Sequence, residues 1–123
     1  MIFAVYQIQL TSEQRDAVNS NKSVPEFEAM SAMMTDFAGH TIGGLASDAF
    51  EAGYYSHVAN ITAEDYNDCF EVGNIGPNSQ IERLGRMSSL SVGNVLVGED
   101  GTCAVVASMG FVAFSFNPAL AAA

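Results

Sequence analysis

Apolar and polar residues alternate in two stretches of the first half of the chain, and this alternation predicts two strands. In Ile2–Leu10 every second residue is apolar, while the positions between them turn polar at Gln7 and Gln9. Side chains of a strand point to opposite faces with a period of two, so this pattern is typical of a strand buried on one side. Tyr54–Ile61 alternates in the same way and is predicted to be a second strand.

Two short helices are predicted between these strands. Thr11 or Ser12 offers an N-cap for the first, which has acidic residues in its first turn and ends near 19–21. The second covers Leu45–Glu51 and lies among several glycines. The Gly43–Gly44 pair does not indicate a nucleotide site, because no GxGxxG or GxxxxGK[ST] pattern surrounds it.

A longer helix is predicted over Val24–Ala38. Ser23 and Glu26 match a capping box, and Pro25 suits the first helical turn. Apolar residues at helical spacing form one stripe of this helix: Phe27, Met30, Met34 and Phe37, with Met33 beside them. A Met/Phe stripe is more often core than a partner groove, so we expect it to face the sheet.

An acidic helix is predicted after the second strand, with Thr62 as its N-cap and Gly73–Asn74 at its C-terminus. Its inner face carries Tyr66, Cys69 and Phe70. Four carboxylates lie on its outer side: Glu64, Asp65, Asp68 and Glu71. The EF-hand pattern is absent, and helical spacing cannot wrap all four around one ion. We interpret them as a solvated face and as candidate partner-binding residues.

The segment Gln80–Gly85 is predicted to form one or two helical turns that display Arg83 and Arg86. These arginines are half of the chain's 4 basic residues. We expect them to pair with the acidic helix, and binding of an anion is the alternative. Both are therefore candidate partner-binding residues as well.

The last part of the chain predicts a hairpin and a closing strand. Asp100–Gly101 is a turn signal between the arms Val95–Gly98 and Thr102–Ser108, and Phe111–Phe116 is apolar. Together these elements predict an α+β fold: a small, mostly antiparallel sheet of four to five strands with helices packed on one face.

Composition restricts the function more than any single motif does. The chain has 14 acidic and 4 basic residues and a net charge of -10. Such a surface repels phosphate, which disfavours direct binding of nucleic acid, and it suits a basic protein surface or solubility alone.

The N-terminus has no positive region typical of a signal peptide, and no apolar run is long enough for a membrane span, so we predict a cytoplasmic protein.

Catalytic and metal-binding signatures are absent from the sequence. The two histidines, His40 and His57, lie near no nucleophile motif and share no zinc-ligand spacing with Cys69 and Cys103. We therefore predict no catalytic residue, no metal site, no cofactor and no enzymatic activity. The cysteines are expected to be buried free thiols, and the alternative is a disulfide in an exported protein.

Several short motifs, taken in order, resemble a known family. They are Tyr54–Tyr55, Phe70–Asn74, Pro77, Ser89–Val95 and Ser108–Phe111. Over about 54–116 they resemble the YodL-like domain, which also occurs in KfrB-type plasmid proteins and in plasmid- or phage-borne antirestriction polypeptides. That family usually has His and Asp where this chain has Ser88 and Asn94. The resemblance implies an accessory protein of a mobile genetic element.

These observations predict one domain over 1–123, with a strand and helices in 1–53, the YodL-like part in 54–116 and a tail in 117–123. We expect a non-enzymatic, acidic phage or plasmid protein that binds and modulates a host protein in the host cytoplasm. Antirestriction-like imitation of nucleic acid is the sharper form of this hypothesis. The alternative is a small self-associating module of a virion or replication complex, because an apolar closing strand can present a free edge. No membrane partner is expected.

Overall fold

A computed structural model describes residues 1–115, in which six strands form one antiparallel sheet accompanied by four helices. The strands are β1 (Ile2–Ile8), β2 (Tyr55–Thr62), β3 (Ile81–Arg83), β4 (Val95–Gly98), β5 (Cys103–Val106) and β6 (Phe111–Ala113). The helices are α1 (Ser12–Asn19), α2 (Pro25–Met34), α3 (Ile42–Glu51) and α4 (Tyr66–Ile75). The sheet order is β3-β2-β1-β4-β5-β6. The predicted α+β class is confirmed, whereas the predicted four to five strands are wrong.

Helices pack on both faces of the sheet, so the prediction that they share one face is also wrong. Strand β1 shows the two faces directly. Phe3 and Val5 belong to the apolar cluster that contains the buried residues of α4, whereas Tyr6 and Ile8 belong to the cluster that contains those of α2 and α3. Because β1 is the third strand of six and apolar on both sides for most of its length, it can bury side chains in both clusters.

The hairpin near the C-terminal end confirms its prediction, with β4 and β5 paired and Gly101 at a positive φ of 88° in the turn. The predicted helical turns over Gln80–Gly85 are wrong, because only Gln80 belongs to a helical turn. A short 3-10 turn precedes β3, in which Ile81 and Arg83 lie opposite Ile61 and Ala59 of β2. This pairing extends the sheet by one strand.

The predicted closing strand corresponds to β6, which ends at Ala113. Residue 116 of the predicted range Phe111–Phe116, and the tail predicted over 117–123, lie outside the described residues.

Capping differs from the prediction at two helices. Thr11 caps α1 in a capping box with Gln14, as predicted, but α2 has Val24 at its N-cap position without a side-chain hydrogen bond. The Ser23 hydroxyl instead donates to Glu28 at 2.7 Å. Thr62 ends β2 and does not cap α4, because Asp65 takes that position.

The C-terminus of α4 lies beyond the predicted Gly73–Asn74. The helix continues to Ile75 and ends at Gly76, whose φ of 102° lies in the left-handed region that favours glycine. Gly73 is therefore inside the helix. A Cβ built on it would lie 2.7 Å from Cδ1 of Leu90, so glycine allows Leu90 to pack directly on the helix backbone.

Candidate interaction surfaces

Three of the five residues in the predicted Met/Phe core stripe face the solvent, contrary to the prediction, whereas Met30 and Met33 pack in the core as predicted. The exposed fractions are 40% for Phe27, 53% for Met34 and 74% for Phe37, whereas Met33 is fully buried. Phe27 and Met34 are two helical turns apart and share a face, with the half-buried Met30 between them. We call Phe27, Met30, Met34 and Phe37, which follows the helix, the α2 outward face.

Met33 explains why α2 is turned this way. Its Sδ lies 3.5 Å from the hydroxyl of Tyr55, and the same hydroxyl donates to the carbonyl of Gly93 at 2.6 Å. Burial raises the pKa of Tyr55 well above its usual range, so the hydroxyl keeps the proton that it donates. With Met33 held against the sheet, its neighbour Met34 must point away from it.

Carboxylates are held near both ends of α2. At its start, Glu26 accepts a hydrogen bond from the side chain of Gln14, and Glu28 accepts one from Ser23. After its end, Asp36 accepts from the backbone amides of Thr41 at 2.9 Å and Ile42 at 2.8 Å. These hydrogen bonds, above all that from the Thr41 amide, lower the pKa of Asp36. Negative charge therefore flanks the α2 outward face.

The four carboxylates predicted on the acidic helix divide into two kinds. Asp65 caps α4 by accepting from the amide of Asp68 at 2.8 Å, and the Asp68 carboxylate accepts from the amide of Glu64 at 2.9 Å. Asp65 and Asp68 thus have a structural role. The side chains of Glu64 and Glu71 are exposed. Within residues 1–115, no group of three or more His, Cys, Asp or Glu side chains could hold a metal ion.

The two candidate arginines do not pair with α4. Over residues 1–115 the ion pair found joins the N-terminal amine to Glu99 at 3.9 Å. Arg83 instead donates to Asn78 at 3.4 Å. The expected pairing is therefore wrong: Arg83 lies in β3 and bonds to Asn78, and neither arginine is in an ion pair with a residue of α4. The arginines also line different clefts: Arg83 lies with Asn78, and Arg86 lies with Arg15 of α1.

The segment Ser88–Asn94, which carries part of the family resemblance, is anchored to β1 by Gln7. The Gln7 amide nitrogen donates to the Ser88 carbonyl at 2.9 Å and to the Asn94 side chain at 3.1 Å. Its oxygen accepts from the Ser88 amide at 3.1 Å. Gln7 is 1% exposed, and sequence reasoning missed it. The available signal was a polar residue between the apolar Tyr6 and Ile8.

A second clamp holds the middle of this segment. The Asn74 side chain accepts from the Leu90 amide at 2.6 Å and donates to the Leu90 carbonyl at 3.1 Å. Leu90 itself is 3% exposed and packs in the cluster beside α4. We call Ser88–Asn94 the anchored segment, because Ser88, Leu90 and Asn94 bond to Gln7 of β1 and Asn74 of α4.

The remaining reactive side chains occupy structural positions. Cys69 and Cys103 are free, and burial raises the pKa of each thiol to about 12, so both are poor nucleophiles at neutral pH. His57 lies in β2, as predicted, where its ring stacks on Tyr6 with centroids 4.9 Å apart and its Nε2 lies 2.8 Å from Asn60. His40 is exposed in the turn between α2 and α3.

Comparison with known proteins finds no matching family model, no matching curated protein and no matching solved structure. In the part of the chain that the structure describes, no helix is long and apolar enough to cross a membrane. The candidate surfaces must therefore be judged on their own geometry, and the α2 outward face is the one that groups several exposed large apolar side chains, Phe27, Met34 and Phe37.

Proposed function

We propose that this chain is a non-enzymatic accessory protein of a phage or plasmid that binds a host protein through the α2 outward face. The observation that carries the proposal is the exposure of Met34 at the end of α2 and of Phe37 just after it, 53% and 74%, whereas the neighbouring Met33 is fully buried. Large apolar and aromatic side chains grouped in this way are typical of the centre of a protein interface.

The charge around this face indicates the chemistry of the partner. Glu28 is exposed at the start of α2 and Asp36 follows its end, and the whole chain has a net charge of -10. A partner with an apolar contact area and basic residues at its rim is complementary to this arrangement. Such charges increase the rate of association and select the partner more than they increase affinity.

The phage or plasmid origin rests on the resemblance of 54–116 to the YodL-like domain. Ser88 and Asn94, the two positions at which this chain departs from that family, both make hydrogen bonds with Gln7 inside the fold. The acidic helix is a secondary candidate contact, through Glu64 and Glu71, which take no part in the α4 cap.

Partner capture tests the proposal. The protein would be immobilised and exposed to lysates of candidate bacterial hosts at low and high salt, and captured proteins identified by mass spectrometry. We expect one partner whose capture weakens at high salt and is lost with Met34→Ser/Phe37→Ser. The matched control is Ile75→Ser/Met109→Ser, which removes apolar side chains that are 82% and 87% exposed elsewhere. Equal capture by the two double variants would contradict the proposal.

A second candidate function is self-association as an assembly module. Strand β6 is at the end of the sheet order and pairs with β5 on one side. An edge strand can add a further strand from another copy, although three residues make a short edge. Sedimentation over a range of protein concentrations tests this candidate, which requires a mass that rises with concentration. A monomer at every concentration would exclude it.

A further inference from the structure

A cleft that sequence reasoning did not identify lies where the end of β1, α1, α2 and the residues before the anchored segment meet. Its volume is about 330 Å3, which is within the usual range for small-molecule sites. Four apolar and two cationic side chains dominate its lining: Ile8, Leu10, Met30, Met87, Arg15 and Arg86. The cleft therefore combines an apolar surface with two positive charges.

Both arginines belong to elements that the fold holds in place. The backbone carbonyl of Arg86 accepts a hydrogen bond from the Gln9 side chain, which ties this part of the chain to the end of β1. Arg15 lies in α1, next to Gln14, which completes the helix cap and also donates to Glu26 of α2. A ligand would thus find both backbones already positioned, which reduces the entropy lost on binding.

The local charge of this cleft is opposite to that of the molecule. The chain has a net charge of -10, yet half of its 4 basic residues line this one cleft. No carboxylate from residues 1–115 is part of the lining, and neither arginine forms an ion pair with a residue in that range. The two guanidinium groups are therefore the charged side chains that line the cleft.

We propose that this cleft binds a small amphipathic carboxylate, meaning one carboxylate on an unbranched apolar body. A guanidinium group presents parallel N–H donors that match the two oxygens of a carboxylate. The flexible side chains of Met30 and Met87 suit an apolar chain, since methionine adapts its shape to what it contacts. A smaller cleft of about 90 Å3 also has Ile8 and Met30 in its lining, together with Met33 and Met34.

The cleft shares Met30 with the α2 outward face, but binding of the carboxylate requires Arg15 and Arg86, which are not part of that face, so the two proposals can fail separately. The probe we would use is octanoate, titrated into isotope-labelled protein and followed by the shifts of backbone amide signals. The comparison ligands are octanamide, which has the same chain without the charge, and acetate, which has the charge without the chain.

We expect octanoate to shift the amides of Leu10, Arg15 and Met87, with weaker binding by both octanamide and acetate. Arg15→Gln and Arg86→Gln should each weaken octanoate binding about three- to tenfold, because each removes a charge-assisted pair at a partly exposed site. The matched control is Arg83→Gln, which removes the same charge from the other cleft and should leave binding within about twofold. Unchanged amide spectra away from the cleft verify that each variant is folded.

Three results would overturn the inference. The first is no saturable shift of the cleft amides with octanoate. The second is binding of octanamide as tight as that of octanoate, because the arginines would then play no part in recognition. The third is an equal loss in Arg83→Gln and Arg86→Gln, which would mean that the effect follows the overall charge of the protein and not this cleft.

Discussion

The anchored segment and the α2 outward face differ in how the fold uses the side chains that their sequences present. The anchored segment is rich in serine and asparagine, yet its side chains and backbone bond to Gln7 and Asn74, and Leu90 between them is buried. The α2 outward face is apolar, yet Met34 and Phe37 are exposed. Contacts within the fold thus explain the polar residues that bond in the anchored segment, but they do not explain the exposed apolar residues of the α2 outward face.

This difference indicates where to look for function. Ser88 and Asn94 hydrogen-bond to Gln7, and the Leu90 backbone bonds to Asn74, so these polar groups are engaged within the fold. In the isolated chain, exposed methionine and phenylalanine side chains gain no hydrophobic stabilisation from their position. Covering them with a partner would be favourable by about 25 cal/mol for each Å2 of apolar surface buried. Binding is therefore more readily explained at α2 than at the segment that carries the family resemblance.

The largest expected effect comes from removing the apolar centre of the anchored segment. Leu90→Ala should lower the free energy of unfolding by about 3 kcal/mol, because it leaves a cavity between α4 and the sheet. Chemical denaturation measures this loss. The control Met109→Ala, at a position 87% exposed, should change stability by less than about 0.5 kcal/mol. A loss below about 1 kcal/mol in Leu90→Ala would mean that the segment is not anchored as described.

A somewhat smaller effect is expected at Gln7. Gln7→Ala removes the hydrogen bonds to Ser88 and Asn94 and should cost about 2 kcal/mol, since their partners are left in a partly buried site. Hydrogen exchange of the Ser88 amide should accelerate at the same time. Gln9→Ala, which removes one bond to the Arg86 carbonyl at a less buried position, is the control and should cost less than half as much.

Local signals in the sequence predicted those elements that depend on neighbouring residues. The cap at Thr11 and the turn at Asp100–Gly101 are both formed by side chains or φ angles within a few residues, and both are confirmed. Strand β3 was missed because it has three residues, Ile81–Arg83, and exists through pairing with the distant β2. Such a strand has no period of its own to recognise.

The candidate surfaces were harder to predict for a related reason. Met30, Met33 and Met34 occur so close together that helical spacing permits either Met33 or Met34 to face the sheet. The choice depends on Tyr55 and Gly93, which lie in other elements and contact Met33. In the same way, Arg15 and Arg86 line one cleft because the tertiary fold brings α1 and the residues before the anchored segment together. The spacing of these residues along the chain does not reveal this.

A smaller loss of stability is expected from removing a structural carboxylate at α4, and a still smaller one from removing an exposed carboxylate. Asp65→Ala removes the N-cap and should cost about 1 kcal/mol, a typical loss for a capping side chain. Glu71→Ala, on the exposed side of the same helix, should change stability by less than about 0.5 kcal/mol. Thermal unfolding of both variants in one buffer provides the comparison, and equal losses would argue against the capping role of Asp65.

The smallest effect is expected on the α2 outward face itself. Met34→Ser/Phe37→Ser should change the free energy of unfolding by about 0.5 kcal/mol or less, because both side chains are mostly in water already. Met33→Ala, one residue earlier, should cost about 3 kcal/mol because Met33 is fully buried. Chemical denaturation of both variants tests the orientation of α2. If the double variant lost as much stability as Met33→Ala, these side chains would be part of the core, and the reason to look for a binding partner at this face would disappear.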